Sequence, residues 1–190
     1  MKTNISLILI SLLTVFSFSS CSSDEPENDV VKKNNDAFNY FLSQYKVIKD
    51  IPTSLETGEN APFYQIDKDG FIFLQVIENK GIMAKDNEKI YFRYSTFSLI
   101  SYFETHVWPK PTATNETDFD ISDSFLTYNS TSTIPTIIPL NYVGNESRVN
   151  IAVRQISDKR DFPFLMNISY IPEQIDVDIP KTPVNISFLF

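Results

Sequence analysis

The feature that most constrains this chain is a two-residue alternation of apolar and polar side chains, repeated through its second half. In "SRVNIAVRQI", Val149, Ile151 and Val153 alternate with Arg148, Asn150 and Arg154. In "EKIYFRYSTF", Ile90, Phe92 and Tyr94 share one face, while Tyr91 and Arg93 share the other. "FYQIDKDGFIFLQVIE" reads as a short strand, a turn over residues 67–70 and a longer strand. "FLMNISYI" and the terminal "PVNISFLF", with Val184, Ile186, Phe188 and Phe190 on one face, complete the set. Successive side chains of a pleated strand point to opposite sides, so each piece predicts a strand with a buried face.

One segment breaks this rule. "DAFNYFLSQYKVIKD" places Phe38, Phe41, Leu42, Tyr45 and Ile48 at helical spacing, which predicts a helix over 36–49 whose stripe is core contact. Asn35 or Asp36 can cap its start, and Pro52 follows its end. Between the strands, residues 105–139 are aperiodic and polar, and Pro135 and Pro139 argue against a regular helix there. The 16 Phe and 9 Tyr supply a sizeable core. The expectation is therefore one α+β domain over residues 35–190, an antiparallel sheet carrying an N-terminal helix.

The N-terminus reads as targeting, not fold. Lys2 precedes the apolar run "ISLILISLLTVFSF", whose length of about 14 residues falls short of the roughly 20 needed to span a bilayer. The run ends at "FSSC", where Ser19 and Ser20 precede Cys21, the single cysteine. A small-small-Cys ending resembles a bacterial lipobox, although Phe18 stands where such motifs usually carry Leu; an ordinary cleaved signal peptide is the alternative. On the lipobox reading, residues 1–20 are a signal peptide, Cys21 is the lipid anchor, and residues 21–34 are an acidic tether. "SSDEPENDV" also resembles the export tag of surface lipoproteins in Bacteroidetes, with a plain spacer as the other reading. The place implied is the outer membrane, on its periplasmic or cell-surface side.

Composition narrows the chemistry. A cysteine used for lipid leaves none for a disulfide, a thiolate site or a nucleophile, and His106 is the only histidine. No phosphate loop, dinucleotide fingerprint or G-x-S-x-G is present among only four glycines. These observations argue against covalent, metal-dependent and cofactor-dependent catalysis, and no residue is singled out as catalytic. The formal charge of −8 becomes −9 once Lys2 is removed with the leader, which argues against a nucleic-acid partner.

Three motifs in order carry a resemblance. The first is Gly70-Phe71, the Lys80-Gly81 turn, the polar step over 87–89 and the strand from Ile90 to Tyr94. The second is "YVGNESRVNIAV" and the third is "IPKTPVNISF", with "FPFLMNISYI" competing for the same last strand. Over residues 64–190 the chain resembles an FKBP-type peptidyl-prolyl isomerase domain, in a divergent form seen among Bacteroidetes lipoproteins. The resemblance implies a pocket on the sheet, with Tyr94, Phe103, Glu104 and Ile134 at or near the family's lining positions. It also implies a weakened site: Ile134 falls near the position of the family's floor Trp, "PTIIPLN" replaces the family helix and reads as non-helical, and the carbonyl-binding Tyr has no counterpart unless Tyr170 supplies it. The expected function is then an isomerase-inactive binder of a peptide or protein. An active isomerase or folding factor is the second reading. The third is an all-β glycan-binding lipoprotein using Tyr102, His106 and Trp108 of "YFETHVWPKP" as an aromatic loop, against which stand core packing for the rings and a solvated loop for His106.

If Cys21 carries the anchor, Cys21→Ser moves the protein from the washed membrane fraction to the soluble fraction, because the acyl chains supply about 0.8 kcal/mol per buried CH₂. Retention of the variant in washed membranes overturns the lipobox reading.

Overall fold

The computed structural model describes residues 26–116, 125–154 and 162–171. The leader, Cys21 and the terminal "PVNISFLF" lie outside the described residues. In chain order the elements are α1 (Pro26–Leu42), β1 (Val47–Ile48), β2 (Phe63–Gln65), β3 (Ile72–Glu78), β4 (Lys89–Ser98), α2 (Leu99–Thr105), β5 (Ala113–Thr114), β6 (Phe125–Thr127), a 3-10 turn (Ile138–Asn141), β7 (Arg148–Val153) and β8 (Phe164–Ile171). The fold is α+β. One eight-stranded sheet has the order β1-β2-β3-β7-β8-β4-β5, with β6 also on β4. All pairings are antiparallel except β1 with β2. A single sheet with helices is not the two-sheet sandwich that the glycan-binding alternative requires.

The registers turn the alternating pattern into rows across the sheet. On one face the rows are Ile72–Val153–Phe164–Ser98, Leu74–Ile151–Met166–Thr96 and Val76–Val149–Ile168–Tyr94. On the other they are Phe73–Ala152–Leu165–Phe97, Gln75–Asn150–Asn167–Ser95 and, on three strands, Arg148–Ser169–Arg93. The first face is covered by Leu126, Tyr128 and the segment holding Ile137, Ile138, Leu140 and Val143. The apolar row of the second face is covered by Phe38, Phe41 and Leu42 of α1 together with Leu99 and Tyr102 of α2. Phe38 meets Phe73 at 5.6 Å between ring centroids, and Phe41 meets Phe63 edge-on at 5.5 Å.

Two expectations about helices are corrected. The first helix begins at Pro26, so part of the segment read as tether is helical, with Asn34 buried. It ends at Leu42, not near Lys49. Bonds from Gln44 N to Phe41 O and from Tyr45 N to Leu42 O tighten its last turn, and Phe63 N then donates to Lys46 O. Pairing with β2 thus takes Val47 and Ile48 out of the helical period, and Ile48 packs on the opposite face of the sheet from Phe41. Tyr45 keeps its expected packing from the turn, 5.2 Å from Phe41 and 5.0 Å from Phe63. The second correction is α2, which occupies residues read as strand or loop. Ser98 caps it by accepting from Ser101 N, and His106 closes it in the left-handed region at φ 54°.

The aperiodic region serves mostly as an edge. β6 pairs with β4 at Lys89–Tyr91, and β5 pairs with it at Ser95 and Thr96. In the gap, the Asn115 side chain takes the place of a strand: its Oδ1 accepts from Tyr94 N at 2.7 Å and its Nδ2 donates to Phe92 O at 3.0 Å. "PTIIPLN", read as non-helical, makes one 3-10 turn with Pro139 near its start. Gly81 and Gly144, which lie in separate motifs of the sequence, meet here. A Cβ on Gly144 would overlap the Lys80 carbonyl, and Gly81 takes φ 76°. Asn79 Oδ1 accepts from Gly144 N and from the fully buried Ser147 hydroxyl.

Phe41 is 1% exposed, so Phe41→Ala is expected to lower the unfolding free energy by about 3–5 kcal/mol. Denaturant titration of the mature chain measures this, and an unchanged midpoint would mean that α1 is dispensable to the core.

Candidate functional site

The residues expected to line one pocket are separated. Tyr94 lies on the face covered by segment 137–143, partly buried and 5.9 Å from Phe92. Phe103 sits on α2, edge-on to Tyr40 of α1 at 5.4 Å, on the opposite side of the sheet. Glu104 forms an exposed ion pair with Lys33. Ile134 is 55% exposed. A strand and a helix on opposite faces cannot share a cleft, so the four positions form no common wall.

Of the aromatic-loop residues, Tyr102 is in the core and Trp108 packs against it. Trp108 stacks on Tyr102 with centroids 4.3 Å apart and planes 15° from parallel, and it meets Phe41 and Phe97 edge-on. Tyr102 is buried and donates its hydroxyl to Gln44 Oε1 at 2.8 Å. One face of the indole is thus covered. His106 is exposed, with Nδ1 at 2.9 Å from the Tyr40 hydroxyl, so it is a helix cap with a partner and not a free loop side chain.

Tyr170, the possible carbonyl donor, is occupied. It is 3% exposed, and its hydroxyl donates to Thr136 O at 2.8 Å. Tyr128 similarly donates to Asn141 Oδ1 at 2.6 Å, and Tyr142 to Ile66 O at 3.3 Å. Three phenols therefore hold the covering segment to the rest of the domain. Burial raises the pKa of each, with the charge of Asp86 adding to it at Tyr128 and that of Asp67 at Tyr142.

A cleft among the described residues lies where β4 runs into α2. It has a volume of about 490 Å³ and is lined by Thr96, Ser98, Ser101, Thr112, Phe162, Pro163 and Phe164. That volume is within the range of small-ligand and side-chain sites. Thr96 and Ser98 continue the row face that carries Tyr94, and Phe164 faces Ser98 across the β4–β8 ladder. Leu99 N donates to Pro163 O at 3.1 Å and ties the two walls together. The hydroxyls are partly spent: Thr96 and Thr112 bond each other at 3.0 Å, and Ser98 Oγ caps α2. Every lining side chain is neutral. Among the described residues no group of three or more His, Cys, Asp or Glu gathers to hold a metal ion. A hydroxyl with no adjacent base is not an activated nucleophile, so this geometry suits holding an uncharged apolar group between rings and hydroxyls. Sequence reading missed these residues; the signal available was the Ile90, Phe92, Tyr94 alternation, which runs on to Thr96 and Ser98.

No family model matches the sequence, and no curated protein does. Among solved structures, FkpA from Escherichia coli is similar at 12% identity and a TM-score of 0.43, over 90% of this chain and 72% of that one.

The Tyr170 bond makes a prediction of its own. Tyr170→Phe leaves the Thr136 carbonyl without its donor and is expected to cost about 1–3 kcal/mol of stability. The raised pKa of buried Tyr170 means that the folded state keeps a proton which the unfolded state gives up above its ordinary value of 10.0. Its contribution is therefore intact below that pH and is lost as pH rises beyond it. The difference in unfolding free energy between wild type and Tyr170→Phe should shrink in that alkaline range; a constant difference would show that Tyr170 ionises freely in the fold.

Proposed function

We propose that this chain is a lipid-anchored cell-envelope protein on a divergent FKBP-like scaffold, which binds a polypeptide without isomerising it. Isomerising an X-Pro bond means lowering a barrier of roughly 18–20 kcal/mol, and a site of this kind does so with a dry aromatic pocket and a hydroxyl aimed at the substrate carbonyl. The observation that carries the reading is Tyr170: the one phenol that could replace the missing donor is sealed in the core and bonded to Thr136 O. The separation of Tyr94 from Phe103, and the exposure of Ile134, support it further. What supports the scaffold is the order of the three motifs, together with the docking of the Gly81 turn against Gly144. Binding is assigned to the groove beside Thr96 and Phe164, which offers rings and hydroxyls but no acid or base.

The experiment is a prolyl isomerase assay on short X-Pro peptides with the purified mature chain. The expected result is a rate equal to buffer alone. A rate well above buffer that falls in Tyr94→Ala establishes the active-isomerase alternative instead.

A further inference from the structure

The groove beside Thr96 and Phe164 is lined only by neutral side chains, in a chain whose formal charge is −8. One wall carries the rings of Phe162 and Phe164, and the other carries the hydroxyls of Thr96, Ser101 and Thr112. Phe162 is 55% exposed, so an apolar ring stands at the rim in contact with water. The C-terminal sequence divides by the same criterion of charge. Beyond Ile171 its ionic residues are Glu173, Asp176, Asp178 and Lys181, and all of them precede residue 182. Residues 182–190, which lie outside the described residues, read "TPVNISFLF". This run has no charge, and it alternates Val184, Ile186, Phe188 and Phe190 with Asn185, Ser187 and Leu189. Its apolar side chains gain by leaving water, while Asn185 and Ser187 need polar partners wherever they are buried.

We propose that residues 182–190 of the chain itself occupy this groove and compete there with outside polypeptides. The inference rests on the polypeptide-binding reading and adds a regulation of that same site. Reach allows it. β8 starts at the groove with Phe164 and ends at Ile171, a return distance of about 23 Å for seven residues of strand. Residues 172–181 can span up to about 33 Å when extended, which leaves slack for a turn. Charge selects the neutral run over the acidic one: carboxylates of Asp176 and Asp178 would lose water against walls that offer no cation. The run also matches the groove in kind, with apolar side chains for the rings and an amide and a hydroxyl for the threonines and Ser101. High intrinsic affinity is not needed. A short tether holds its segment at an effective concentration on the order of 1 mM. A segment that binds as a free peptide with Kd of about 0.1 mM is then seated about nine-tenths of the time, and an outside peptide meets a groove about tenfold less available.

The test is fluorescence anisotropy of the full mature chain with two labelled peptides, one of residues 181–190 and one unrelated, of about ten residues alternating Thr and Val. The expected result is that both bind Ile186→Asp/Phe188→Asp about tenfold more tightly than they bind wild type. Adding Thr112→Arg, at an exposed position of the groove wall, should abolish that gain; a gain that survives it is made elsewhere and overturns the proposal. Equal binding of the Thr/Val peptide by wild type and the tail variant means that nothing is displaced; the proposal then fails while the polypeptide-binding reading stands. Binding of the 181–190 peptide alone to the tail variant supports the proposal and overturns that reading. No binding of either peptide to either protein overturns both. A wild type that sediments as a dimer and becomes monomeric in the tail variant seats the segment in a second copy, which also overturns the proposal.

Discussion

The ladder between β4 and β8 is the constraint on which the rest of the molecule depends. It runs unbroken from Tyr91↔Ile171 to Ser98↔Phe164. β8 is in turn paired along six residues with β7, and β7 with β3. Because side chains alternate with period two, a one-residue slip of β8 would move Leu165 and Asn167 to the face of Ile168 and Tyr170. The slip would bury Asn167 under the covering segment and expose Met166 and Ile168 beside the arginines. Core composition and groove position are thus set by one register.

Both faces of this sheet are used, for different purposes. Apolar residues at adjacent positions, Phe73 beside Leu74 and Ala152 beside Ile151, are buried on opposite sides. That demands two covers. Helices serve on one side, where ridges of aromatic rings fill the space against Phe63 and Phe97. On the other side the cover is a mostly irregular segment around one 3-10 turn, and irregular backbone needs its polar groups satisfied one by one. The buried tyrosine hydroxyls do that work, which is why Tyr170 is unavailable for a substrate. Stability of the cover and loss of a free phenol have the same cause.

Edge protection follows the same economy. β4 is the last long strand, and its outer side would present unpaired amides for chance association. Two short strands and the Asn115 amide between them occupy that side. Parts of the region that looked unstructured by its sequence therefore cover the outer side of β4.

The sequence by itself determined the strands β2, β3, β4, β7 and β8, the facing of their side chains and the helical stripe around Phe38 and Phe41, because these rest on local periodicity that any partner must satisfy. It also left thiol and imidazole chemistry one residue each, Cys21 and His106. Tertiary structure decided where α1 ends, since Val47 and Ile48 leave the helical period only to pair with β2. It decided that Ser98 starts a helix, that Asn115 replaces a strand, and that Tyr94 and Phe103 lie on opposite faces. It also brought Thr96, Thr112 and Phe164 into one groove. Each of these depends on contacts between residues far apart in the chain, whose energies exceed local preference and leave no periodic trace in the sequence.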